Sequence, residues 1–214
     1  MNIEKAYNIW ADQYDTNSNK TRDLDRKATT ETLNKFHFST VLEIGCGTGK
    51  NTCYLLKKAD KIICIDFSEE MLNKAKKKIQ DERVEFLKSD LIEEWNVKND
   101  YADLITCSLV LEHIKDLGIV LSQAKRKLKN GGIFFISELH PFKQYSGSKA
   151  KFETKNGTQE LETYVHHTSE CLNVASQSQF ELVELKEWFD DNDELGIPRL
   201  IGIVLRKNKM AKHM

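Results

Sequence analysis

Three glycines alternate in the stretch VLEIGCGTG, residues 41–49. Gly45, Gly47 and Gly49 follow an apolar run and precede a helical pattern. Glycines in that place allow a tight turn and let a ligand approach bare backbone. Two acids extend the pattern. Asp66 lies at the end of the next apolar run, KIICIDF, and Asp90 at the end of a third, RVEFLKSDL. A carboxylate in the position of Asp66 can accept two hydrogen bonds from a ribose diol. One in the position of Asp90 can accept a hydrogen bond from an adenine amino group. Glu43, just before the glycines, would sit poorly beside a phosphate. It could instead hold a cationic amine or assist the turn. The set fits a nucleoside better than a diphosphate, and points away from a nicotinamide dinucleotide.

A second group of residues could move a proton. His140 stands in ELHPF, where Pro141 restricts it to an extended backbone. His166 and His167 are adjacent in YVHHTSE. Neighbours on an extended segment point to opposite sides, so one of this pair is expected to face a pocket. Tyr145 could line an acceptor pocket or anchor its segment. Each histidine also reads as a capping or packing residue. The five cysteines, Cys46, Cys53, Cys64, Cys107 and Cys171, form no CxxC pair. Their odd number and irregular spacing predict free thiols in a reducing cytoplasm and no metal site.

The elements that must position these residues follow from periodicity. Residues 3–14 predict a helix whose inner face carries Tyr7, Trp10, Ala11 and Tyr14. Residues 22–37 predict a second, with Leu24, Ala28, Leu33 and Phe36 inward. Strands are then expected at STVLEIG, KIICIDF, RVEFLKSDL, YADLITCSL and IFFISEL. Helices are expected at KNTCYLLKKA, at EEMLNKAKKKI capped by Ser68, and at LGIVLSQAKRKLKNGG. Gly131 or Gly132 is expected to stop the last of these. The lysines at 74, 76, 77 and 78 read as a solvated face. Residues 141–163 break the rhythm and predict a small antiparallel flap. A helix over 169–177 and two strands, FELVELKEW and RLIGIVLRK, close the chain. Alternating strands and helices predict a mostly parallel sheet covered on both faces. The closing pair, with no helix between its members, predicts a hairpin.

The chain has 214 residues, enough for one domain with a sizeable core. Thirty-two basic and 33 acidic residues leave a formal charge of -1, so the overall balance offers no footprint for nucleic acid or a membrane. No apolar run approaches the roughly 20 residues that cross a bilayer. The N-terminal MNIEKAYNIWADQYD is charged and predicts no signal peptide. Together these features predict a cytoplasmic protein, with monomer or dimer left open.

In order, the segments VLEIGCGTG, IDFSEEMLNKAKKK, FLKSDL, YADLITCSLVLEHIKD and LKNGGIFFISELHP resemble the successive motifs of the class I S-adenosylmethionine-dependent methyltransferases. The similarity is to the small-molecule branch typified by quinone-biosynthesis enzymes, and WADQYD resembles its lead helix. The resemblance implies a Rossmann-like fold with seven strands, the last antiparallel. It implies one domain over 1–214, with a helical cap over 1–38 and a flap insertion over 141–168 above the acceptor site. S-adenosylmethionine would be the cofactor and S-adenosylhomocysteine the product. Gly45, Cys46, Gly47 and Gly49 would form the loop under the methionine part, and Glu43 would support its amino end or the loop. Asp66 matches the ribose acid, Phe67 and Met71 the residues near the adenine, and Asp90 and Leu91 the adenine-side pair. Ser108 and Leu109 match the segment beside the sulfonium, His113 the histidine of the LEHI signature, and Tyr14 a covering aromatic.

The implied reaction is attack of a substrate nucleophile on the sulfonium methyl. A base, with His140, His166 or His167 as candidates, is needed only for a nucleophile that arrives protonated. CSLVLEH replaces the Asn/Asp-Pro-Pro-aromatic motif of enzymes that methylate adenine or glutamine nitrogens. A small acceptor is therefore expected, methylated on O, N or C. The competing readings are a methyltransferase acting on RNA or protein, a cofactor-binding regulator or scaffold without turnover, and a nicotinamide-dependent dehydrogenase.

Overall fold

The computed structural model describes residues 3–16, 18–154, 157–191 and 196–208. Two helices lead the chain, α1 (Ile3–Tyr14) and α2 (Lys20–Leu33). The sheet begins with β1 (Thr40–Ile44), and a short helix α3 (Thr52–Leu55) leads to β2 (Lys61–Asp66). Helix α4 (Glu69–Lys78), β3 (Val84–Lys88) and β4 (Ala102–Ser108) follow. A single 3₁₀ turn (Leu111–His113) precedes α5 (Leu117–Lys127) and β5 (Leu128–Leu139). Helix α6 (Pro141–Tyr145) and the strands β6 (Lys151–Thr154) and β7 (Gly157–Glu160) come next. Helix α7 (Thr168–Gln177), β8 (Phe180–Trp188) and β9 (Leu200–Lys207) complete the order.

The main sheet has seven strands in the order β3-β2-β1-β4-β5-β9-β8. Neighbours from β3 to β5 pair parallel, whereas β9 runs antiparallel to both β5 and β8. The expected seven-stranded sheet with an antiparallel last strand is thus present. Alternation along the strands divides the core into two layers. Leu42, Ile44 and Phe134 pack on one face with α5 and α7, and Val41, Leu104 and Phe135 pack on the other with Leu33, Leu55 and Leu72. Among the described residues no helix is long and apolar enough to cross a membrane.

Three expectations shift. The helix expected over 50–59 is regular only across Thr52–Leu55, because i→i+3 bonds from Lys57 to Tyr54 and from Lys58 to Leu55 tighten the chain after it. Helix α2 starts two residues early, at an Asn19 cap that accepts the Arg22 N–H, and ends before Phe36. Helix α5 stops at Lys127, where Leu128 is already extended. Gly131, at φ +80, therefore does not cap that helix. It lies within β5, where the pairing with β4 shifts between Ala102 and Leu104. The flap region holds α6 and the β6–β7 hairpin, a two-stranded sheet of its own.

Candidate functional site

The carboxyl ends of β1, β2, β3 and β4 open onto one groove of about 700 Å³. Parallel strands put their ends together there, and each loop brings a different group. After β1 come the glycines. Gly47 has φ +53, and a Cβ built on it would meet no atom within 4 Å. The backbone there is bare toward the groove, and a side chain would stand in the space. Gly45, at φ +67, is pressed against the next loop, since its Cβ would lie 2.2 Å from Val110 Cγ2. Gly49 has another job: it packs on α4, where a Cβ would lie 2.7 Å from Ile79 Cδ1, and it does not line the groove.

Asp66 ends β2 and shapes the same loop. The Gly47 N–H donates to its Oδ2 at 2.8 Å and the Ser68 N–H to its Oδ1 at 2.9 Å. Burial pushes its carboxyl up to about 6, against the pull of those backbone donors. One carboxylate therefore tethers the glycine turn and faces the groove, with further lone pairs able to accept from a diol. Asp90 and Leu91 follow β3, and Asp90 is exposed at the rim, accepting the Ile92 N–H at 3.1 Å. Phe67 and Met71 line the groove between them.

Behind the glycine turn is a smaller polar compartment of about 50 Å³, lined in part by Glu43, Cys46, Arg22 and Asp25. Glu43 is buried and accepts the Thr52 hydroxyl at 2.6 Å, and burial pushes it up to about 7. Ser108, which ends β4, and Leu109 after it line both spaces. Leu109 has φ +57, a left-handed backbone costly for a leucine. Its N–H donates to Ser137 O at 2.8 Å, and its side chain packs with the cluster of Leu24, Ala28, Trp188 and Leu200.

Helix α1 forms the fourth side. Tyr7 donates or accepts at His113 Nε2 over 2.8 Å, and the ring lies 5.7 Å from Phe67. His113 Nδ1 meets Glu162 O at 3.1 Å, and burial lowers its pKa. Tyr14 lines the groove under Arg22, whose guanidinium lies 4.1 Å from the ring centre and donates to Tyr14 O. Lys74 and Lys78, two of the lysines read as a solvated face, reach Asp12 and Asp15 of this N-terminal segment at 2.8 and 2.6 Å. Tyr7 and Arg22 were not singled out as site residues. The signal for Tyr7 was the aromatic spacing of α1, which also serves a core and so did not discriminate.

The histidines part company. His140 lines none of the cavities: its Nδ1 caps α6 by accepting the Phe142 N–H at 3.2 Å, and its Nε2 meets Glu187 at 3.0 Å. His167 caps α7, and its Nδ1 meets the Tyr145 hydroxyl at 2.6 Å on the exposed surface. His166 faces inward, with Nε2 at 2.8 Å from Ile114 O and Nδ1 at 3.4 Å from Glu170. One of the adjacent pair thus faces a cavity and the other faces solvent.

The cavity beside His166 has about 40 Å³ and lies among α5, α7, β5 and β9. It is separated from the groove by residues 110–114: Val110, His113 and Ile114 face the groove, Leu111 and Glu112 the cavity. Glu138 of β5 holds this partition, accepting the Val110 and Leu111 N–H groups on Oε1 at 2.9 Å each. Neither Glu112 nor Glu138 was singled out beforehand. An acid inside the apolar run IFFISEL was the available signal for Glu138. Among the described residues no cluster of three His, Cys, Asp or Glu could hold a metal ion.

A family profile described as a methyltransferase domain matches residues 42–136. The chain is 29% identical over 195 residues to a malonyl-[acyl-carrier protein] O-methyltransferase of Priestia megaterium, covering 86% of this chain and 65% of that protein. It is 31% identical over 150 residues to a demethylmenaquinone methyltransferase of Lactococcus lactis, covering 65% of this chain and 59% of that one. It thus spans less than two thirds of either relative's length. The crystal structure of an S-adenosylmethionine-dependent methyltransferase from Mesorhizobium loti shares the fold, with a TM-score of 0.71 at 19% identity over 84% of this chain and 96% of that chain.

Proposed function

We propose that the chain is an S-adenosylmethionine-dependent methyltransferase, with its methyltransferase domain over residues 42–136, and that it methylates a small-molecule acceptor. The observation that carries the cofactor's place is the pairing of bare Gly47 backbone with the Asp66 carboxylate that tethers it. A nucleoside fits there. Asp66 would accept from the ribose diol, Asp90 from the adenine amino group, and Phe67, Met71 and Leu91 would flank the base. Gly45 and Gly47 would lie under the methionine part, with Glu43 behind them supporting the turn through Thr52. Tyr14, Ser108, Leu109 and His113 would enclose the sulfonium end.

When bound, the cofactor supplies an electrophilic methyl on a positively charged sulfur. The chain's part is alignment and exclusion of water. Tyr7 and His113 close the groove from the α1 side through their mutual hydrogen bond. Burial lowers the His113 pKa and so favours its neutral form, which adds no repulsion toward a sulfonium. Residues 1–38 would act as a cap and 141–168 as a flap beside the acceptor. The mixed polar and apolar lining of the groove supports a small acceptor over RNA or protein. None of the three candidate histidines lines the groove; His166 lines the cavity behind residues 110–114, with both ring nitrogens engaged.

The test is calorimetry with S-adenosylhomocysteine, followed by methyl transfer from labelled cofactor to phenols, carboxylates, amines, quinols and total RNA. Saturable binding with transfer to a small acceptor supports the reading. Absence of binding, or transfer to RNA alone, overturns it.

A further inference from the structure

The cavity behind residues 110–114 has no place in the cofactor assignment, and its chemistry is one-sided. Its walls are mostly aliphatic, with Leu117, Leu121, Ile136 and Ile203 among them, and Gln144, Tyr164 and Thr168 add neutral polar groups. Two carboxyl groups converge on it. Glu138 is 8% exposed, and although Oε1 holds two backbone N–H groups, Oε2 has no hydrogen-bond partner. Glu112 is 9% exposed and meets only the Gln144 amide, at 3.5 Å, through its side chain. No lysine or arginine lines the cavity among the described residues. His166, the one basic side chain there, is committed through both ring nitrogens to Ile114 O and Glu170.

An uncompensated carboxylate in apolar surroundings is costly. Burial accordingly pushes Glu112 up to about 7 and Glu138 up to about 8, the Glu112 charge adding to the rise at Glu138. A ligand that brings a positive charge and several N–H donors removes that cost. An ammonium group brings three donors and no acceptor, matching two acids and one open oxygen. A carboxylate ligand would bring a like charge to two acids and no donor. A neutral alcohol would bring one donor and no charge. Size also bounds the ligand. At ≈ 10–15 Å³ for each water-sized probe, 40 Å³ admits about three such volumes, the scale of a short alkyl chain.

We propose that this cavity is a binding site for a compact apolar amine, held as its ammonium ion between Glu138 and Glu112. The site stands on its own geometry and does not depend on the methyl-transfer reading. Its partition is shared with the groove, so a ligand in it sits one layer of chain away from the nucleoside site.

The experiment is a methyl-NMR titration of the full chain, saturated with S-adenosylhomocysteine, using three probes of similar size: propylammonium, 1-propanol and acetate. Propylammonium should shift the methyl signals of Leu121, Ile136 and Ile203 saturably, at least tenfold more tightly than 1-propanol, and acetate should not bind. Glu138→Gln keeps an oxygen for the Val110 and Leu111 N–H groups and should erase the preference. Should that variant not fold, Glu112→Gln carries the same test and should reduce the preference severalfold. Equal binding of propylammonium and 1-propanol, or a preference that survives both substitutions, overturns the proposal. Failure of S-adenosylhomocysteine to bind would count against the cofactor assignment instead, and the amine titration can then be run without it.

Discussion

The groove and the cavity lie on two sides of one short segment, residues 110–114, and they satisfy buried acids in opposite ways. In the groove, Asp66 has backbone donors on both oxygens. In the cavity, one oxygen of Glu138 is matched and the other is not. The first arrangement gives a rigid floor that exists before any ligand arrives. The second leaves an unmet electrostatic demand that a ligand can supply. A binding protein can thus be prepared by completing its polar contacts or by withholding one.

The largest effect expected is at the completed end. Asp66→Ala removes both loop tethers and the acceptor offered to a diol. Loss of a buried hydrogen-bonding group costs about 1–3 kcal/mol, so S-adenosylhomocysteine affinity should fall by about 5- to 150-fold in calorimetry. Unchanged affinity would strip Asp66 of that role. Gly47→Ala comes next. An alanine at φ +53 pays about 1–2 kcal/mol for the left-handed backbone, and its methyl stands in the groove. Affinity should drop about 5- to 30-fold, with a lower melting temperature; an equally tight variant would move the ligand away from that backbone.

At the withheld end the expected effect is on pH dependence. Burial raises the Glu138 carboxyl to about 8 in the folded chain. Below the ordinary glutamate range the acid is protonated in both states and costs nothing. As pH rises, the unfolded chain releases its proton first, so this group withdraws stability progressively until the folded pKa is passed. Urea midpoints should therefore fall more for the wild type than for Glu138→Gln between pH 5 and pH 8.5. Parallel curves would mean that the carboxyl is better compensated than its contacts indicate. The smallest effect is outside both spaces. His140→Ala should lose about 1 kcal/mol of capping, lowering the melting temperature by about 2–4 °C, with S-adenosylhomocysteine affinity unchanged. A large drop in affinity would bring His140 back into the site.

The groove was legible in the sequence because its determinants are local. Buried parallel strands are written as apolar runs, and the residue that ends each run is the residue that lines the groove. Gly45, Gly47, Asp66 and Asp90 are found in this way, Ser108 only through the family resemblance, and the structure brings them to one opening. The contribution of α1 was half legible. Periodicity gave its inner face, but nothing local said that Tyr7 would meet His113, 106 residues away. The histidines were misleading for a related reason. His140 and His167 both stand at the N-cap of a helix; helix capping captured the His140 side chain, and the Tyr145 hydroxyl the His167 one. The boundary of α5 failed because Gly131 serves a strand irregularity, which depends on β4 rather than on its own neighbours. Glu138 was visible as an acid in an apolar run, yet only the convergence of α5, α7 and β9 makes it half satisfied.

Leu109 shows how such a scaffold can transmit force. Its backbone is wound the unfavourable way, its N–H is fastened to β5, and its side chain is wedged against α2 and the β8–β9 hairpin while bordering the groove. It behaves as a pin driven through three parts of the molecule. The second helix, the closing strands and the ligand side therefore share one residue, and none of the three is walled off from the others.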